Sequence, residues 1–379
     1  MVQGLLKDLK SPDYEKAWAA ARDLGNFPQF KAQIAPALIE ALKRDWSECS
    51  GDIREDIAVS LARLTGKDAV FPLLRLLQGG KNVAHECAEC GCCFLALTPG
   101  DLLSERGFDP FCENSLLAVI NQHADFSHSK AMADLVSQGK WKPELLITIG
   151  KVAPPRYAHF IARYRNDPEA TVRIAAARAL GLIDNDQVTI PVLVHLLSRS
   201  GEEFPVKWEA SNSLIAIGKR GKPRALGGRL ADLLKERDKT AVTLAARALA
   251  LLGEEAGRTK LRELAGDGDP RIRSDAVLYL GEAADAHAKE ILITRLEDES
   301  LVVRACAMYG LGRIGESSTV PVLQKAFEAA NEYQEELAKR LKAGTSEAAL
   351  RDQYGYRVFD LRQTLQEALE SIRRSGKQN

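Results

Sequence analysis

This chain has no excess of charge of either sign: Lys and Arg together number 52, and so do Asp and Glu, among 379 residues. A neutral chain of that size is not built to hold a polyanion over its whole surface, so nucleic-acid binding would rest on a local basic patch. No window approaches about 18 uninterrupted apolar residues, so no membrane-spanning helix is expected. The apolar stretch in MVQGLLKDLKSPDYEKAW is short and broken by charge, unlike an export signal. The cysteine spread of a disulfide framework is missing too: the seven cysteines are an odd number, and five fall between 87 and 112. Such usage fits a reducing compartment, so a cytoplasmic location is expected. There is no Gly-x-Ser-x-Gly, no nucleotide-binding glycine fingerprint and no paired-carboxylate arrangement, so no catalytic residue is nominated. Period-two alternation persists nowhere, which leaves an all-α chain.

What the sequence does contain is a repeat. Residues 167–200, DPEATVRIAAARALGLIDNDQVTIPVLVHLLSRS, read as an Ala-rich amphipathic helix, a polar turn and a second helix with apolar spacing at Ile190, Val194 and Leu197. Residues 269–300 and 301–330 follow the same plan. Asp167-Pro168 and Asp269-Pro270 read as helix starts, because the acid can cap and proline is tolerated in the first turn. With Leu180 as anchor, equivalents fall at Leu24, Leu61, Gly91, Ile120, Ile149, Leu214, Leu249, Leu280 and Leu311. About ten helix pairs in series predict an α-solenoid, since one pair cannot bury its apolar face alone but stacked pairs can. The expected division is a repeat array over 1–330, degenerate and Cys-rich at 83–140, followed by a C-terminal helical cap over 331–379. Within 319–342 and 346–374 the chain reads as two longer, charged helices, with Tyr354, Val358, Leu361, Leu365, Leu369 and Ile372 near helical spacing.

The motif V-R-x-x-A-A-x-A-L-G at Val172 to Gly181 resembles the HEAT-like repeats of the phycobilisome-lyase type, over roughly residues 12–330. The resemblance implies an array that serves mostly as a binding scaffold. It also admits two chemistries, because some relatives are bilin lyases and the related deoxyhypusine hydroxylases hold a di-iron site. Fold alone does not choose among these.

The segment VAHECAECGCCF, 83–94, is the strongest candidate for metal chemistry. In register, Cys87 stands where other units have Ala176, Ala210, Ala276 and Ala307, and Cys90 where they have Ala179, Ser213 and Gly310. Cysteine is small and readily buried, so these positions read as core packing. At about 100° per residue, Val83, Cys87, Cys90, Gly91 and Phe94 share one face, while His85, Glu89 and Cys92 share another. One straight helix therefore cannot bring all four cysteines to a tetrahedral ion. A zinc or iron site would draw on His85, Cys87, Cys90, Cys92, Cys93 and, from outside, Cys112. His85-Glu86 looks like the His-Glu pair of the hydroxylases, but no other unit has histidine at that position, so a di-iron set cannot be completed. The leading expectation is no cofactor.

Two other clusters stand out. QHADFSHSK, 122–130, offers His123, Asp125 and His128, and reads as a polar turn between helices. GKRGKPRALGGR, 218–229, holds Lys219, Arg220, Lys222, Arg224 and Arg229, the best anion patch in the chain and the basis of a nucleic-acid alternative. The leading reading is a non-catalytic scaffold that binds another protein along the concave face expected of stacked second helices, here 188–198, 224–235 and 286–296. His195, Arg229, Lys235 and Arg295 are its candidate contacts.

Overall fold

The computed structural model describes residues 1–44, 52–79, 116–221, 224–328 and 361–375. These form helices joined by short turns, with no strand among them. The chain is an all-α solenoid of HEAT-like helix pairs. The described residues divide into two compact units, one up to Thr189 and the other from Ile190 on.

Except for Gly91, which lies outside the described residues, each anchor falls on the first helix of a helix pair. Leu24, Leu61, Ile120, Ile149, Leu180, Leu214, Leu249, Leu280 and Leu311 are all at most 2% exposed. The first helices are buried on nearly every side. In Lys239–Leu251 every residue from Ala241 to Ala250 is buried, and in Pro270–Glu282 burial runs from Ile272 to Gly281 with only Asp275 half-exposed. Small residues make this possible. A Cβ built on Gly150 would lie 2.6 Å from the Ala179 Cα, and one on Gly281 would lie 2.5 Å from the Gly310 Cα. Successive first helices thus meet backbone to backbone. Cys306, on the first helix Leu301–Ile314 in the register of Ala175, is fully buried and plays the small-residue part expected of cysteine here.

A row of basic residues lies seven positions before the anchors: Arg54, Lys142, Arg173, Lys207, Arg273 and Arg304. Arg173 Nη1 donates to the carbonyls of Asp167 (2.8 Å) and Pro168 (3.0 Å), and Arg273 Nη1 repeats this with Asp267 (2.9 Å) and Gly268 (3.1 Å). Others reach forward to an aspartate at the start of the next unit. Lys142 meets Asp167, Lys207 meets Asp238, and Arg273 grips Asp298 with Nε at 3.0 Å and Nη2 at 2.9 Å. Those aspartates also accept backbone N–H groups at the turn, from Glu169, Ala241 and Ser300 respectively. One carboxylate therefore fixes the turn that leads into a helix, as the N-cap itself at Asp238, and ties that turn to the preceding unit. Ala17, Glu113 and Val242 interrupt the row, and beside the last of these Lys239, three residues earlier, substitutes by holding Asp267.

Several expected boundaries shift. Asp269 caps Pro270–Glu282 as predicted, by accepting from the Arg271 N–H at 2.9 Å. The helix after Asp167-Pro168 starts only at Ala170, because the Asp167 side chain instead holds the Glu169 N–H in a turn. The second helices run Asp186–Ser198, Arg224–Leu233 and Lys289–Arg295, the last preceded by a 3-10 turn at Ala286–Ala288. At the C-terminal end the described helix is Leu361–Ser375. It packs on Leu301–Ile314, where a Cβ on Gly312 would lie 2.5 Å from the Ala368 Cα. Among the described residues no helix is long and apolar enough to cross a membrane.

Candidate functional site

All four expected partner contacts lie in the second unit. His195 is exposed on Asp186–Ser198, and Arg229 is exposed on Arg224–Leu233. Lys235 is not on that helix, which ends at Leu233. It sits in the following turn, its Nζ 3.2 Å from Asp232 Oδ1. Arg295 closes Lys289–Arg295 half-buried, with Nη1 3.3 Å from Asp298 Oδ2. Three of the four side chains are thus exposed, Lys235 within a surface ion pair, and only Arg295 is half-buried in one.

The second helices are where this unit meets its surroundings. Arg224–Leu233 buries Leu226, Leu230 and Leu233 and exposes Ala225, Gly228, Arg229 and Asp232. Glu255–Leu264 buries Gly257, Leu261 and Leu264 and exposes Glu255, Ala256, Thr259 and Glu263. Its cations are engaged: Lys260 with Glu263, and Arg262 with both Glu255 and Asp285. In the anion patch, Lys219 and Arg220 are exposed at the end of Phe204–Gly221. Lys222 and the side chain of Arg224 lie outside the described set, so the structure brings together only part of the patch.

The metal candidates His85, Cys87, Cys90, Cys92, Cys93 and Cys112 lie outside the described residues. Among the described residues no group of three or more His, Cys, Asp or Glu side chains is placed to hold a metal ion. The 122–130 cluster is a local turn. Asp125 accepts from the Ser127 N–H at 2.9 Å and from the Ser127 hydroxyl, while buried His128 Nδ1 accepts from the Asp125 N–H at 3.1 Å. This reciprocal capping box uses the imidazole lone pair on the backbone. Ser, His and Asp stand side by side here, yet His128 cannot serve Ser127 as a base. The Ser127 hydroxyl, and then Lys67 at 3.0 Å, hold the Asp125 carboxyl well below the usual carboxylate range.

The most elaborate polar cluster escaped the sequence reading. Buried Arg247 donates from Nε to Glu282 (2.7 Å) and from Nη1 to Asn212 (2.8 Å). Its guanidinium lies 4.2 Å from the Trp208 ring centroid and 5.2 Å from that of Tyr279. Three consecutive first helices contribute, and Trp208 is packed between them. A desolvated cation–π contact of this kind is worth about 2 kcal/mol, which helps offset the burial of the charge. The signal for it was an arginine two residues before the anchor in KTAVTLAARALAL, where every residue after Thr243 other than Arg247 is apolar.

Comparison with known proteins agrees with this architecture. A family model for HEAT repeats matches residues 157–250, 228–300 and 259–342. A Kap121p mutant structure is similar at 14% identity and a TM-score of 0.52, over 86% of this chain and 38% of that one. An engineered protein is similar at 20% identity over 98% of both chains, with a TM-score of 0.32. The complex of CpcE and CpcF of phycocyanin lyase from Nostoc is similar at 16% identity over 86% of this chain and 92% of that one, with a TM-score of 0.31. At such identities the Kap121p likeness speaks for the fold alone. No curated protein matches the chain.

Proposed function

Because this chain belongs to the HEAT-repeat proteins, we propose that it is a non-catalytic scaffold that binds another protein along the second helices of its second unit. The observation that carries this is the division of labour between helices. First helices spend almost all their surface on their neighbours, while second helices keep one face, including His195, Arg229 and Thr259, outside the core. A regular row of outward faces on a rigid stack is the means by which repeat arrays hold extended partners. His195 and Arg229 are the leading contacts. Lys235 and Arg295 contribute only if their pairs with Asp232 and Asp298 open. Site-specific photo-crosslinking in the source cells tests the proposal. Crosslinkers at His195 and Thr259 are expected to capture the same protein, and crosslinkers at exposed Arg271 and Glu297 to capture none. Capture from the control positions alone would overturn it.

A further inference from the structure

We infer that the helical stretch 155–166 in the first unit is a docking site for an acidic segment of another protein, one that carries carboxylates around an apolar side chain. This goes beyond the second-unit reading and does not rest on it. Between Glu144 and Asp167 the chain carries Lys151, Arg156, Arg163 and Arg165 and no acidic residue, although its overall charge is zero. The stretch is built from the 3-10 turn Pro155–Tyr157, the short helix Ala158–Ala162 and the 3-10 turn Arg163–Asn166. Ala158, Ile161 and Ala162 are buried and fix its inner face. Arg156, His159, Arg163 and Asn166 are exposed, at the three- and four-residue spacing of a single outward stripe. The fold does not neutralise that stripe. Asp167, the next acid, is held by Lys142, and neither Arg156 nor Arg163 is in an ion pair among the described residues. The cations that the fold engages are the other two: Lys151 donates to the Asn121 carbonyl at 2.8 Å, and Arg165 to the Ala162 carbonyl at 3.0 Å.

The second observation is independent of charge. Tyr157, Phe160 and Tyr164 lie half-exposed beside the stripe. Their rings meet edge to face, with centroids 6.4 Å apart for Tyr157 and Phe160 and 5.5 Å apart for Phe160 and Tyr164. The Arg156 guanidinium lies 5.6 Å from the Tyr157 centroid. The Asn185 side chain donates to the Pro155 carbonyl at 3.2 Å, which fixes the start of the stretch. Arginine and aromatic side chains are what protein interfaces place at their centres, where lysine and acids are depleted. Rings already held by one another lose little freedom when a partner docks. The aromatic row would take the apolar side chain of the segment, and Arg156 and Arg163, to either side of Phe160, its carboxylates. An acidic protein segment suits this surface better than nucleic acid does. Single strands need open ring faces and a run of phosphate contacts, whereas these rings pack on each other and the stripe exposes two arginines.

The test is fluorescence anisotropy of a short labelled peptide rich in Glu and Leu, titrated with the full chain. Arg156→Glu with Arg163→Glu is expected to weaken binding by at least about tenfold at an unchanged thermal midpoint, while Arg271→Glu with Arg313→Glu, an equal charge change in the second unit, leaves it unchanged. Phe160→Ala alters no charge. It is expected to weaken the Glu-Leu peptide severalfold and to leave a Glu-Ser peptide, which offers no apolar side chain, bound as before, whereas misfolding would weaken both. The arginine variants, confined to exposed side chains, decide the matter if Phe160→Ala does not fold. No binding to the unaltered chain, equal weakening by the remote pair, equal loss of both peptides in a folded Phe160→Ala chain, or tighter binding of a single-stranded oligouridine than of the peptide would each overturn the inference. Crosslinking from His195 and Thr259 is read on the unaltered chain, so the second-unit reading stands or falls separately.

Discussion

Arg273 does several jobs with one guanidinium. It is paired with Asp298 and with Glu299 at 3.0 Å, and it closes the Asp267–Gly268 turn, with its own side chain 7% exposed and that of Asp298 2% exposed. Removing it leaves that buried carboxylate only Arg295 at 3.3 Å and the Ser300 N–H, so Arg273→Ala is expected to cost about 3 kcal/mol in denaturant unfolding. Burial works against ionising Asp298, but the bonds from Arg273 and the Ser300 N–H prevail and hold its carboxyl below the ordinary value. Asp238, with Lys207 beside it, is lowered in the same way. A depressed native value means the unfolded chain takes up the proton first. The stabilisation is complete above about pH 4 and is lost as pH falls through the native value. Melts recorded as a function of pH should show that loss, and Asp298→Asn should flatten it while lowering stability at neutral pH. Glu144 has the opposite sign. Burial raises its carboxyl, and Oε2 has no partner among the described residues. Its ionisation costs native stability as pH rises above about 4, so Glu144→Gln should raise the midpoint at pH 7, with the gain vanishing near pH 4.

At the scale of helices, glycine has two opposite meanings in this chain. Gly281 meets the Gly310 backbone, so Gly281→Val is expected to push two first helices apart at a cost of about 1–3 kcal/mol or more. Gly228 faces open space, so Gly228→Ala should stabilise by up to about 1 kcal/mol. Paired chemical denaturation of the two variants checks both signs. The same geometry explains the C-terminal helix. Gly312, one residue after its anchor, meets Ala368 as Gly281 meets Gly310 and Gly150 meets Ala179. Leu361-Arg362 and Ala368-Leu369 then stand where Val172-Arg173 and Ala179-Leu180 stand in the motif. The helix Leu361–Ser375 occupies the slot of a further first helix, which the expected cap did not specify. Gly312→Val should release it, read as faster amide exchange over 361–375 with the array upstream unchanged.

For the whole molecule, the scaffold reading makes a prediction about mass. Native mass spectrometry of chelator-free protein should give the chain without zinc or iron. A metal-sized excess lost in the Cys90→Ser/Cys92→Ser variant would move function to the 85–112 segment. The repeat was legible in the sequence because burial of Leu24 through Leu311 recurs with the period of a helix pair, and any chain with that period must stack to hide those residues. The V-R motif was legible as a marker. Its use of Arg173 and Arg273 to close the preceding turns was not, because the bonded carbonyls have no identity in sequence. His195 and Arg229 were legible as outward residues on amphipathic second helices. Lys235 was misplaced because a helix end is set by a turn, not by periodicity. The sequence by itself determined an all-α array, its register and its one-sided basic stretch, because these follow from spacing and charge along the chain. Only the tertiary structure decided which charges are spent. It sandwiched Arg247 between Trp208 and Tyr279, tied Arg273 to Asp298 and left Arg229 without a carboxylate among the described residues, because pairing depends on side chains that approach from other helices.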